Sequence, residues 1–176
     1  MLYIIIALVI VITSLLLIFI ISNNRFQLVI IKIDKAEEDI ELYLQKKKEL
    51  LERSRSIISK ELKKDNILEG LDKSLEGVNH FEANSHFKVL YNELFKIIDE
   101  NEKLLKSDVL VGILDELNTN EENIIGAIKF YNDTVVEFNQ YVVSFPSKIV
   151  AVIKRYKKKE FYSNEKREIF EILKDR

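Results

Sequence analysis

The feature that most constrains this chain is its first stretch, Leu2 to Ile21, which carries no charge, no proline and no glycine. About twenty such residues make a helix of roughly 30 Å, the thickness of a bilayer's hydrocarbon core. A secretory signal peptide would begin with basic residues, hold a shorter apolar run and end in a small-residue cleavage site. Here apolar residues follow Met1 directly, and the run ends Phe19-Ile20-Ile21-Ser22-Asn23-Asn24-Arg25. The pattern predicts a retained transmembrane anchor over residues 1–23, with the lipid bilayer as its partner. No Lys or Arg lies ahead of it, while Arg25, Lys32 and Lys35 follow closely. The positive-inside rule then puts the N-terminus outside and the soluble body in the cytoplasm, as a single-pass membrane protein.

All 27 Lys+Arg and 29 Asp+Glu therefore fall in the body. A net charge of −2 is too small to argue for a polyanionic partner, so nucleic acid is disfavoured. With only 4 glycines and 1 proline, a β-rich or loop-rich fold is disfavoured too, and the abundance of Glu, Lys, Leu and Ile suits long amphipathic helices. The absence of cysteine excludes disulfides, thiolate metal sites, cysteine nucleophiles and a lipid-modified cysteine.

Three long segments follow the anchor. From Asn24 to about Lys64, apolar residues recur at helical spacing: Ile33, Ala36, Ile40, Leu44, Leu51, Ile58 and Leu62. Ser22 to Asn24 reads either as a cap or as a polar joint within one helix running out of the anchor. A second helix is expected from about Asn66 to Leu105, with a change of phase between Asn79 and Ser85 that predicts a kink or short break. Ser107-Asp108 is a turn and N-cap, and the third helix has the cleanest seam: Leu110, Leu114, Leu117, Glu121, Ile124, Ile128, Tyr131, Val135, Phe138, Val142, Phe145. Pro146 ends it, a short helix spans Ser147 to Tyr156, and Asn164 to Arg176 reads as an amphipathic tail. The fold class is all-α: the anchor, then an elongated antiparallel bundle of three long helices plus a short C-terminal helix. The domains expected are residues 1–23 (anchor), 24–156 (bundle) and 157–176 (basic, amphipathic tail).

The third segment carries a signature. The run Leu117, Glu121, Ile124, Ala127, Tyr131-Asn132, Val135, Phe138-Asn139, Phe145-Pro146, Ala151 resembles the C-terminal half of the LemA family. Its specific part is a Tyr-Asn doublet, an aromatic-Asn doublet seven residues later, and then Phe-Pro. Ala36, Ile40-Glu41-Leu42, Leu44, Lys46-Lys47 and Glu49-Leu50-Leu51 are similar to the family's membrane-proximal motif. The chain departs at Glu37 (often Trp), Glu52 (Pro), Ile30 and Ile128 (Arg) and Arg155 (Gly). The resemblance implies a single-pass membrane protein with a mostly helical antiparallel bundle. It implies architecture rather than a reaction.

Candidate chemistry is sparse. His80 and His86, the only histidines, are six apart, which does not align two ligands on one helix face. The glycines are isolated, so no phosphate loop exists. Neither catalytic residues, nor a cofactor, nor a metal is expected, and the chain is read as a non-enzyme. The interaction or register residues singled out are Glu121, Tyr131, Asn132, Asn139, Lys154, Arg155, Lys157, Lys158 and Lys159. Glu121 is the one charge on the apolar seam, suited to fixing register across the bundle. Tyr131 belongs to the core, while Asn132 and Asn139 flank the seam and read as cross-helix hydrogen-bonding groups or a polar binding stripe. The run Lys154 to Lys159 could bind anionic lipid or nucleic acid. The three matched helices are expected to run away from the membrane, back and away again, so the run lies about 55 Å from it, which counts against a lipid contact. These features describe a membrane-anchored scaffold or adaptor for an unidentified membrane or cytoplasmic protein. The rival is a self-assembling stalk, a homo-oligomer in which the seams pair between chains; a lipid or nucleic-acid tether comes third.

Overall fold

The computed structural model describes residues 1–72 and 79–162. Its elements are α1 (Leu2–Leu62), α2 (His80–Glu100), a 3-10 turn (Glu102–Lys106), α3 (Asp108–Val143) and α4 (Ser147–Lys154). No strand occurs among the described residues, and the all-α class expected from the sequence holds. The amphipathic tail expected over Asn164–Arg176 lies outside the described residues. The chain divides into two compact units, one of Met1–Ala36 with Lys129–Arg176 and one of Glu37–Ile128.

In the first unit, the apolar start and the helix after it are one uninterrupted helix, so the open question at Ser22–Asn24 resolves as continuation. Every side chain from Leu2 to Ile21 except Phe19 is exposed, as a surface facing hydrocarbon would be. The two hydroxyls in this stretch turn inward: Thr13 Oγ1 lies 2.9 Å from the Val9 and Ile10 carbonyl oxygens, and Ser14 Oγ donates to the Ile10 carbonyl at 2.8 Å. Such back-bonding leaves neither hydroxyl dependent on water. Beyond Ile21, α1 acquires a buried face, and Phe26, Val29 and Ile33 pack with Val135 and Phe138 of α3 and Val150 and Ala151 of α4. Phe26 is the hub, its ring centroid 5.6 Å from Phe138, 5.8 Å from Tyr141 and 4.9 Å from Tyr156. Edge-on and tilted aromatic contacts of this kind add to simple area burial.

The direction of α3 follows from these pairs. Lys32 meets Glu137, Phe26 meets Tyr141, and residues Ile12 to Phe19 meet Pro146 and Ile149, so α3 runs antiparallel to α1. Its C-terminus therefore returns toward the apolar start instead of leaving it. Phe145, read as the last rung of the seam, is 81% exposed because α3 stops at Val143 and the chain turns through Pro146.

In the second unit, the expected second helix from Asn66 is replaced by a folded-back connection and a shorter helix. Lys63 (φ 52°) ends α1 in the left-handed region; Leu68 (φ 53°) and Gly70 (φ 98°) follow with positive φ, which no helix tolerates in its interior. Ile67, Leu68 and Leu71 are all buried. The apolar spacing at 67 and 71 was thus a buried turn, and the burial of Leu68, off that stripe, shows the difference. Arg55 grips Asp72 through two hydrogen bonds of 2.6 and 2.8 Å, and His86 Nε2 lies 3.0 Å from the Gly70 carbonyl oxygen. The phase change at Asn79–Ser85 marks the start of α2: Asn79 is its N-cap, accepting from the Glu82 amide at 2.9 Å. His80 and Ala83 face Leu44, whereas Asp99 to Leu104 face Glu61 and Leu62, so α2 runs parallel to this part of α1. The reason is the return of the chain through the connection. The start of α3 is as expected, with the Leu110 amide donating to Ser107 Oγ at 3.4 Å.

Candidate functional site

Each unit places a polar device on its otherwise apolar seam. In the second unit, Lys47 Nζ donates to Glu121 Oε2 at 2.5 Å, tying α1 to α3. The Lys47 side chain is wholly buried and that of Glu121 is 21% exposed. Nζ also sits 5.4 Å from the centre of the Tyr91 ring on α2, a cation–π contact in which α2 shares the same charge. Burial holds the Lys47 ammonium below the ordinary lysine range, with the Glu121 hydrogen bond and charge opposing the shift. Burial also raises the Tyr91 phenol, which donates to Asn118 Oδ1 at 2.7 Å. Beside the pair, Asn120 Nδ2 donates to the Tyr43 carbonyl at 2.9 Å. The three helices are thereby keyed at one level. Desolvated ions stabilise little on their own account but penalise any other register heavily.

Glu121 was legible in the sequence; its partner was not. The apolar series of the first segment, Ile33, Ala36, Ile40, Leu44, then Leu51, skips one turn, and Lys47 occupies the missing rung. A gap of seven in one stripe, matched by a single charge in another, was the available signal.

In the first unit the asparagines are occupied by the chain's own C-terminal segment. Asn139 Nδ2 donates to the Lys159 carbonyl at 2.9 Å and Asn139 Oδ1 accepts from the Lys159 amide at 2.8 Å, so one side-chain amide satisfies both backbone groups of one residue. Asn132 Oδ1 accepts from the Tyr162 amide at 2.8 Å, and Tyr131 hydroxyl donates to the Glu160 carbonyl at 3.1 Å. Asn132 and Asn139 are both buried. Two amides at heptad spacing thus lay an extended segment, Lys157 to Tyr162, along α3, and Tyr131 is an edge group of this clasp. Burial pushes the Tyr162 phenol up.

The basic run is distributed by the same geometry. Lys154 ends α4, and Arg155 caps it in the left-handed conformation (φ 57°) that glycine adopts most readily. Lys154, Arg155, Lys157 and Lys158 are exposed, while Lys159 is half-buried by the clasp. Tyr156, in the middle of the run, packs at a tilt against Phe26 and accepts from Gln27 Nε2 through its hydroxyl at 3.0 Å. The expectation that the run lies about 55 Å from the anchor is corrected. Because α3 runs back along α1, the run sits at the level of Phe26, five positions beyond Ile21.

No curated protein and no solved structure matches the chain. The model of the LemA family matches residues 33–172, from the first body turns of α1 to beyond the end of α4. An N-terminal apolar helix and this match together fit a membrane-associated helical protein, and the chain belongs to the LemA family.

Proposed function

We propose that the protein is a single-pass, membrane-anchored helical scaffold that presents its polar body to a protein partner at the cytoplasmic face. The observation that carries this reading is α1. An exposed apolar length sufficient to span a bilayer passes without a break into a length whose buried face organises the body. Orientation is supported by Arg25, Lys32 and Lys35, and by the exposed cations of Lys154 to Lys158, which the Phe26–Tyr156 contact brings to the same end of the apolar stretch. Neither polar device resembles a reaction centre: Lys47 is sealed by Glu121 and Tyr91, and the asparagines are filled by backbone. The seams that would otherwise pair between chains are buried within one chain, which favours an adaptor over a self-assembling stalk.

The test is in two steps. Carbonate washing of membranes should leave the chain in the pellet, and protease added to intact cells should spare the body; digestion would reverse the orientation. Crosslinking in membranes followed by pull-down should then recover a different protein. Crosslinks between copies of this chain alone would replace the adaptor with an assembly.

A further inference from the structure

A helix on the surface of a soluble body is polar on its outer side, and α4 is not. Its inner face, Ser147, Val150 and Ala151, is buried, yet the opposite face consists of Ile149, Val152 and Ile153, all exposed. Exposed Lys148 flanks this face, with a stem long enough to carry its ammonium toward the headgroups, and a helix otherwise so apolar on its outer side suits a core or lipid. The turn before it adds Val143 and Phe145, also exposed.

Three further observations say what covers this face. First, it is continuous with the apolar stretch of α1: Ile12, Leu16 and Phe19 of α1 line a groove of about 470 Å³ together with Pro146, Ile149 and Val150. Second, the turn meets several of its backbone groups internally, which lowers the cost of placing it in lipid. Ser147 Oγ lies 2.8 and 2.9 Å from the Tyr141 and Ser144 carbonyl oxygens, the Ser144 amide donates to the Gln140 carbonyl at 2.9 Å, and Pro146 has no amide to satisfy. Third, the cations are at the right level. Pro146 and Ile149 meet α1 at Ile12–Phe19, whereas Tyr156 meets it at Phe26, roughly 10–20 Å further along the helix. That separates an acyl-chain depth from a phosphate depth.

We infer that the end of α3 and α4 form a re-entrant hairpin that dips into one leaflet beside α1, with Phe145, Ile149, Val152 and Ile153 among acyl chains and Lys154, Arg155 and Lys157 against anionic headgroups. This rests on the reading of α1 as a membrane span. The chain then holds the bilayer at two places, and its body is fixed in tilt as well as tethered.

The chain has no cysteine, so Ile12→Cys, Phe145→Cys, Val152→Cys and Lys129→Cys each give one labelling site in the full chain. Each variant is labelled with an environment-sensitive fluorophore and reconstituted in vesicles of phosphatidylcholine with phosphatidylglycerol. Labels at 12, 145 and 152 should emit to the blue, be quenched by acyl-chain nitroxides and resist iodide; the label at 129 should do the reverse. A label at 12 in lipid with those at 145 and 152 in water overturns the hairpin and leaves the span standing. A label at 12 in water overturns both. Circular dichroism confirms folding, and Phe145, being exposed, can be replaced without touching the core. Lys154→Gln/Arg155→Gln/Lys157→Gln should abolish the dependence of the Val152→Cys signal on phosphatidylglycerol; an unchanged dependence overturns the headgroup contact.

Discussion

The seam between α1 and α3 is bridged by an ion pair in the second unit, Lys47 with Glu121, and in the first by neutral amides that reach past the seam to hold the C-terminal segment. Both devices are buried, and both join residues far apart in sequence. They differ in what failure does. An ion deprived of its partner cannot be left in a dry interior, whereas an amide deprived of its backbone partner loses one or two hydrogen bonds and can recruit water. The charged device therefore forbids wrong registers, and the neutral one holds a segment that can be released.

The comparison breaks most readily at Glu121. Glu121→Leu strands the buried Lys47 charge and should cost about 3–5 kcal/mol in denaturant unfolding of the full chain in detergent. Lys47→Met/Glu121→Leu together should recover most of that loss; no recovery would mean that the two residues act separately. Asn139→Ala removes a donor and an acceptor facing Lys159 and should cost about 1–3 kcal/mol. Proteolysis should sharpen the contrast, with cleavage after Lys157 to Lys159 in Asn139→Ala and not in the Glu121 variants at equal stability. Arg155→Gly relieves a left-handed side chain and should gain about 1 kcal/mol.

The smallest effect is a pH dependence. The folded-state pKa of Lys47 is depressed below its ordinary 10.5. Between the two values the unfolded chain binds more protons, so stability rises with pH there. The penalty of the buried ammonium is present at neutral pH and is relieved as pH climbs through the depressed value. Lys47→Met should thus lose ground relative to the parent chain as pH rises through that alkaline window, which paired unfolding curves would show.

The apolar start, the N-cap at Ser107, the seam of α3 and the stop at Pro146 were legible because each rests on local pattern. The connection after Leu62 was not. Ile67 and Leu71 have helical spacing, and nothing local announces that Lys63 and Leu68 take positive φ. That choice goes with the burial of Ile67, Leu68 and Leu71, and Arg55 on Asp72 and His86 on the Gly70 carbonyl hold the same connection. From it followed the direction of α3 and so the location of the basic run. The Tyr-Asn and Phe-Asn doublets stood out, but their partners are backbone groups of Lys159, Glu160 and Tyr162, and backbone leaves no mark in sequence.

The division into units also sets an order of birth. The second unit, Glu37–Ile128, is continuous in the chain and can close as soon as it leaves the ribosome. Phe26 emerges earlier, yet its ring partners are Phe138, Tyr141 and Tyr156, made more than a hundred residues later. At about 5–20 residues per second, the base of α1 waits several seconds without a core, beside its own exposed apolar stretch. Any factor that shields a nascent apolar surface has that interval in which to act, and the arrival of Tyr156 closes it.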